Sequence, residues 1–123
     1  MKIPIILLLL FSILIACVAK EKNVEDQVKN IGLEIFMEKC SPCHFNGDKD
    51  LTAPSLFGVT KRLPLSKLIR WIRNSNELLV ERDPYFLDLY AKWAYTIQPP
   101  FPELSDDNII AVLRYIESWD ELK

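Results

Sequence analysis

Hydrophobic residues are distributed along this chain in two distinct ways. Residues 3–19 are mostly apolar and carry no charge, and they are flanked by Lys2 and Lys20. An apolar run after a positive start is typical of a targeting segment. Beyond residue 30, apolar residues recur at the spacing of amphipathic helices, and no stretch shows the apolar-polar alternation of a half-buried strand. The pattern therefore predicts an all-α domain.

Helix boundaries are indicated by capping residues. Ser, Asp and Asn side chains accept hydrogen bonds from the first free N–H groups of a helix, and proline fits the first turn. These signals predict four helices in the domain, and the last begins with two acidic residues that suit the helix dipole. Their expected bounds are 31–40, 67–74, 84–93 and 106–116, with Asn30, Ser66, Asp83 and Ser105 as the caps.

The chain is expected to have three parts. Residues 1–16 form a signal peptide, residues 17–30 a polar and charged tether, and residues 31–123 the folded domain. The apolar run is short for a membrane span, which needs ~20 residues. An uncleaved N-terminal membrane helix remains the alternative, and both interpretations put the domain outside the cytoplasm.

Composition narrows the range of functions. The chain has 123 residues, 50% hydrophobic and 26% charged, which fits one small globular domain. Lys and Arg number 15 against 17 Asp and Glu, so no basic excess exists to neutralise phosphates and we expect no nucleic-acid binding. The chain has one histidine, His44, which excludes a site that needs two imidazoles.

The end of the apolar run contains a second signal. Leu14, Ile15, Ala16 and Cys17 resemble the lipobox of bacterial lipoproteins, in which the signal peptide is cut before the Cys and that Cys bears lipid. Several acyl chains on one residue hold a protein stably at a membrane surface, whereas one chain binds only marginally. We therefore expect a lipid anchor at Cys17, on the periplasmic side of a bacterial membrane.

The remaining cysteines lie in one short motif. Cys40, Cys43 and His44 form C-x-x-C-H, the attachment signal for c-type haem. Two thiols three residues apart can add to the two vinyl groups of one porphyrin, while the adjacent imidazole becomes the proximal iron ligand. The sequence thus predicts one covalently attached haem c, bound by Cys40 and Cys43, with His44 as a metal ligand.

Two other interpretations of the motif are weaker. A thioredoxin-like redox pair needs a βαβ context, and half of a zinc site needs a second pair of ligands. The sequence offers neither of these. With Cys17 assigned to lipid and Cys40 and Cys43 to haem, no thiol is left over for an oxidising compartment.

Over most of residues 30–119 the chain resembles the small class I bacterial cytochromes c. The likeness rests on the C-x-x-C-H motif and on the segments 53–58, 71–75, 83–85 and 96–102. It implies a helical fold wrapped around one covalent haem, with the carbonyl of Pro54 accepting the Nδ1–H of His44. It also implies that the first and last helices cross at Gly32, where Phe36 meets Tyr115. Haem propionates could accept hydrogen bonds from Trp71, Arg73, Tyr85 and Trp93.

The chain departs from the family at position 98. Family members carry a Met before the proline-rich loop as the sixth iron ligand, whereas this chain has Gln98. No other Met replaces it, because Met1 belongs to the signal segment and Met37 lies within a turn of Cys40. Three alternatives stay open: Gln98 binds through its amide oxygen, the position is open or holds water, or another side chain binds. The candidates for that side chain are Lys61, Lys92 and Tyr95.

The resemblance implies a membrane-tethered one-electron carrier whose partners are the redox proteins of a membrane respiratory chain. The alternative is a haem-based sensor or small-ligand binder that uses a weak or open sixth position. An enzyme is not expected, since one haem without a second His or an acid-base pair offers little catalytic apparatus.

Overall fold

A computed structural model of the chain describes the backbone of residues 5–45, 49–50 and 52–120. Within these ranges the chain is helical or irregular and contains no strand, so the predicted all-α class is confirmed. The first four residues of the predicted signal peptide and the last three residues of the domain lie outside the described residues. The helices are α1 (Ile5–Ile35), α2 (Val59–Arg62), α3 (Leu65–Val80), α4 (Pro84–Lys92) and α5 (Asp106–Glu117), with a π-helical turn at Phe36–Cys40.

The first helix begins far earlier than the sequence indicated. The expected start after Asn30 is wrong, because Asn30 lies inside α1, which continues through the segment 17–30. That segment contains neither Gly nor Pro and is rich in Lys and Glu, which are good helix formers. Lys29 and Glu25 add an ion pair four residues apart at 3.8 Å. The expected tether is therefore helical, with side chains exposed to solvent over residues 17–27.

None of the helices in the described part of the chain combines the length and the hydrophobicity that a membrane span requires.

The predicted caps of the two C-terminal helices are confirmed. Asp83 accepts hydrogen bonds from the backbone N–H groups of Tyr85 and Phe86 at the start of α4. Ser105 caps α5 by accepting from the N–H of Asn108, whose side chain in turn accepts from the N–H of Ser105. Each such cap satisfies N–H groups that a helix leaves unpaired.

The third helix differs from its prediction at both ends. It begins at Leu65 after Pro64, so Ser66 lies inside it and is not its cap. It continues past the expected end at Asn74 to Val80, but the backbone of Asn74 is not helical (φ −156°, ψ 86°). The predicted end therefore coincides with a kink that divides α3 into two parts.

The crossing of α1 and α5 is confirmed and is very close. Gly32 is buried, and a Cβ atom on it would lie 2.0 Å from the carbonyl oxygen of Ala111 and 3.0 Å from Cβ of Tyr115. One turn later, the ring of Phe36 contacts Tyr115 at a centroid distance of 5.4 Å. It also meets Trp119 edge to face at 5.2 Å. Phe36 is 2% exposed, so the aromatic contacts at this crossing are part of the hydrophobic core.

We predict that Gly32→Ala destabilises the protein by about 3 kcal/mol, because the added methyl group would overlap backbone atoms of Ala111 that cannot rotate away. Thermal unfolding of the purified protein measures the effect. Glu34→Ala, on the exposed side of the same helix, is the control and should change the unfolding temperature little. Equal stability of the two variants would contradict the close crossing.

Candidate functional site

A large cleft opens between the helices. Its empty volume is about 1370 Å³, counting the space at its open mouth, and its walls are mostly apolar side chains from the π-helical turn and from α2 to α5. On one wall the rings of Trp71 and Phe86 are stacked at a centroid distance of 4.2 Å. A large apolar cleft with a few polar groups is the usual form of a cofactor site.

The C-x-x-C-H motif lies at this cleft. Cys40 ends the π-helical turn, in which the N–H of Ser41 donates to the carbonyl of Phe36 at 2.8 Å, five residues back. The chain then turns tightly, since the N–H of His44 donates to the carbonyl of Cys40 at 2.9 Å. Cys40, Cys43 and His44 all line the cleft, and neither cysteine forms a disulfide. Burial raises the pKa of the Cys40 thiol to about 11, although the positive charge of Lys39 acts to lower it.

The imidazole of His44 has a defined orientation. Its Nδ1 lies 3.0 Å from the carbonyl oxygen of Pro54. A carbonyl can only accept, so Nδ1 carries the hydrogen and the lone pair of the neutral ring is on Nε2. Burial lowers the pKa of His44, and the hydrogen bond to Pro54 opposes this shift. A neutral imidazole held in this tautomer is the form that binds a metal.

The segment that contains Pro54 is itself held against the motif. The Thr52 hydroxyl donates to the carbonyl of Cys43 at 2.8 Å, and the N–H of Ser55 donates to a carboxylate oxygen of Asp50 at 2.8 Å. These bonds lie on both sides of Pro54. They fix the carbonyl that orients His44.

Gln98 also lines the cleft, whereas the other candidates for a sixth ligand do not. Lys61 forms an ion pair with Asp120 at 2.6 Å, and Lys92 lies 3.7 Å from Asp50. Tyr95 is 68% exposed and packs edge to face on Tyr90. No Met is among the lining residues that the structure describes.

Three of the four residues suggested as propionate donors line the cleft: Trp71, Tyr85 and Trp93. The indole Nε1 of Trp93 is buried and has no hydrogen-bond partner among the residues that the structure describes, which is costly unless a bound group accepts a hydrogen bond from it. Arg73 does not line the cleft and forms an ion pair with Asp106 at the start of α5, so the geometry gives its suggested role no support.

Two polar residues of this region are not predicted by the sequence. Arg62 lines the cleft and donates to the backbone carbonyls of Phe57 and Ser55. Ser75 is buried beside the kink of α3 and donates to the carbonyl of Gln98. Neither residue lies in a motif, so only the tertiary contacts distinguish them from ordinary helix positions.

The alternative interpretations of the motif gain no support from the geometry. Over residues 5–45, 49–50 and 52–120 there is no strand that could supply a thioredoxin-like context. Within those same residues, no group of three or more His, Cys, Asp or Glu side chains is arranged to hold a metal ion by itself.

Comparisons with solved structures identify relatives. A scan against models of protein families and a search of curated proteins found no match. A cytochrome c from Rhodothermus marinus superposes with a TM-score of 0.70 at 24% identity, covering 80% of this chain and 81% of that one. The cytochrome c domain of a Pseudomonas putida protein superposes with a TM-score of 0.61 at 30% identity, and the match covers 71% of this chain and 85% of that domain.

The chain belongs to the cytochrome c family. Its cofactor is one covalently attached haem c, and the family supports an electron-carrier role. The cleft of this cytochrome fits that group, because it combines apolar walls, two free thiols, a neutral imidazole and the unpartnered indole N–H of Trp93.

We predict that this cytochrome does not fold without its haem. Replacing both Cys40 and Cys43 with Ala should abolish haem that survives a denaturing gel, and the haem-free chain should lose most of its helical circular dichroism. The reason is that the apolar helix faces lining the cleft would be covered only by the cofactor, and without it they would leave a large apolar void. Ser41→Ala, which keeps both thiols, is the control. A haem-free chain that unfolds cooperatively from a near-native spectrum would contradict the prediction.

Proposed function

We propose that the protein is a membrane-tethered monohaem cytochrome c that carries single electrons in a bacterial respiratory chain. The observation that supports this best is the His44 imidazole, whose Nδ1–H is bonded to Pro54 beside two free thiols in an apolar cleft. This set of groups suits a haem that would be permanently attached through Cys40 and Cys43, with the His44 imidazole held in one orientation to bind its iron.

The residues that would hold the haem have separate roles. Cys40 and Cys43 would hold the haem through thioether bonds to its two vinyl groups, and Nε2 of His44 would bind its iron. Bound haem supplies a one-electron couple between ferric and ferrous iron. The protein excludes water from this couple with apolar walls, and the Pro54 carbonyl makes the imidazole a stronger donor. Trp93 would donate its buried N–H to a propionate.

The sixth position is the feature that sets this cytochrome apart. Gln98 lines the cleft, while Lys61, Lys92 and Tyr95 lie outside it, which supports either Gln98 or an open position over another side chain. An amide oxygen or a water is a harder donor than a thioether, so either one favours ferric iron. The reduction potential should therefore lie below that of a Met-ligated relative.

The partners would be redox proteins of the same membrane, and no catalytic activity of its own is proposed. No Asp or Glu is among the described residues that line the cleft, so an acid-base pair beside the iron has no support. Electron transfer needs only a haem edge close to a partner, which such a cleft provides at its mouth.

A second function is favoured by one specific observation. The lining residues that the structure describes include neither a Met nor a second His, and Gln98 is a weak donor to ferrous iron. A sixth position of this kind could bind a small gas molecule. The alternative function is therefore a haem-based sensor or small-ligand binder.

The proposed anchor is a lipid on Cys17, after removal of residues 1–16. The Leu14, Ile15, Ala16, Cys17 sequence supports it, and Cys17 is exposed and free. The protein would then reside on the periplasmic side of a bacterial membrane, where its redox partners also lie.

We predict that Gln98→Met raises the reduction potential, creates the Met-to-iron charge-transfer band of the ferric protein and slows binding of carbon monoxide to the ferrous protein. The thioether is a softer and stronger ligand for ferrous iron. Redox titration, absorption spectra and stopped-flow kinetics measure these effects. Gln27→Met, the same change at an exposed position of α1, should have none of them.

The same measurements separate the two functions. A native protein that binds carbon monoxide slowly and exchanges electrons rapidly with a small redox protein supports the carrier. Rapid and tight binding with slow electron exchange supports the sensor. A native protein that is low-spin, inert to carbon monoxide and of ordinary high potential would show that Gln98 does not occupy the sixth position.

We predict that the mature protein begins at Cys17 and carries acyl groups. Mass spectrometry of protein from the membrane fraction detects both features. Cys17→Ser should leave an uncut precursor, because the cleavage requires the lipid-bearing thiol, whereas Ser12→Ala should be processed normally. A mature N-terminus upstream of Cys17 would instead support the uncleaved membrane helix.

A further inference from the structure

Among the residues that the structure describes, Ser75 is the one polar residue whose side chain is fully buried. It is 1% exposed. Its hydroxyl donates to the backbone carbonyl of Gln98 at 2.7 Å. A buried hydroxyl is costly unless it is hydrogen-bonded, so this bond explains how a serine is tolerated among the buried side chains of α3. Its acceptor is the residue proposed for the sixth iron position.

The kink of α3 accompanies this contact. The backbone of Asn74 leaves helical geometry immediately before Ser75. Two positions before the kink, the carbonyl of Ile72 accepts a hydrogen bond from the N–H of Phe101 at 3.3 Å. The two sides of the kink therefore contact the proline-rich loop, residues 96–102, at two points, one at Gln98 and one three residues later.

The loop has few backbone N–H donors next to Gln98, and it follows a turn with strained backbone angles. Pro99 and Pro100 follow Gln98 directly and have no N–H to donate. Just before it, Ala94 and Tyr95 have positive φ angles of 53° and 60°, a conformation that costs energy for residues other than glycine. Because this segment follows a strained turn and lacks two backbone donors, the bonds to Ser75 and Ile72 are what tie it to α3.

We propose that Ser75 is a positioning residue that controls the sixth iron position through its bond to the backbone of Gln98. It does not touch the iron. By holding the carbonyl of Gln98 against the kink of α3, it keeps the Gln98 side chain at the cleft and limits access of other ligands. The inference rests on the proposed function, in which Gln98 is at the sixth position.

The test compares Ser75→Ala with the native holoprotein. Loss of one ordinary hydrogen bond should change the equilibrium ratio of the held to the released loop roughly 2- to 12-fold. We expect carbon monoxide to bind the ferrous protein faster by about that factor. The ferric protein should show a larger high-spin signal in electron paramagnetic resonance.

Two variants control for a purely structural role. Ser118→Ala removes a similar bond, from a partly buried hydroxyl to the carbonyl of Tyr115 at 2.6 Å, outside the cleft lining. It should lower the unfolding temperature without changing the binding rate or the spin state. Ser75→Thr keeps a hydroxyl and should restore the native binding rate within about twofold.

The outcomes separate this inference from the proposed function. If Gln98→Ala changes the ferric spectrum while Ser75→Ala changes only stability, as Ser118→Ala does, the role of Ser75 is wrong and that of Gln98 stands. If neither variant changes the spectrum or the binding rate, the proposed position of Gln98 is wrong and the inference falls with it. In the Gln98→Ala background, Ser75→Ala should have no further effect on binding.

A fourth variant keeps the test decisive if Ser75→Ala does not fold. Ser75→Cys is close in size, but its thiol is a weak donor. It should bind carbon monoxide faster than the native protein and faster than Ser75→Thr. Equal rates for native, Cys and Thr proteins would overturn the proposal.

Discussion

The close contact of α1 and α5 at Gly32 is the constraint on which the rest of the structure depends. The helix backbones meet because position 32 has no side chain, and this proximity brings Phe36 onto Tyr115 and Trp119. Phe36 is also the first residue of the π-helical turn that ends at Cys40. The position of the haem-attachment motif is thus determined by a packing contact between the two ends of the domain.

Two polar contacts hold groups that face the cleft. The carbonyl of Pro54 orients His44, and the hydroxyl of Ser75 holds the backbone of Gln98. Both bonds act on groups that the proposed mechanism assigns to the iron, and they join residues 10 and 23 positions apart in the chain. Between them the walls are mostly apolar. A few directed hydrogen bonds in an apolar cleft are effective because water cannot compete for them.

The chemistry of the sixth position connects this packing to function. A hard oxygen donor or an open position would stabilise ferric iron and leave ferrous iron accessible to small ligands. How strongly it does so depends on how firmly the loop is held. A strained entry at Ala94 and Tyr95 and the prolines at 99 and 100 make the loop dependent on α3. One interaction network would therefore influence both the potential and the access to the iron.

The sequence by itself determined what depends on neighbouring residues. The all-α class, the caps at Asp83 and Ser105 and the haem motif at Cys40, Cys43 and His44 all follow from local spacing. The start of α1 was mispredicted because a cap such as Asn30 competes with the strong helix propensity of the charged segment before it. Only the tertiary structure decided the pairing of Arg73 with Asp106 and the contact of Ser75 with Gln98. These partners are more than 20 residues apart, and long-range packing leaves no periodic signal in the chain.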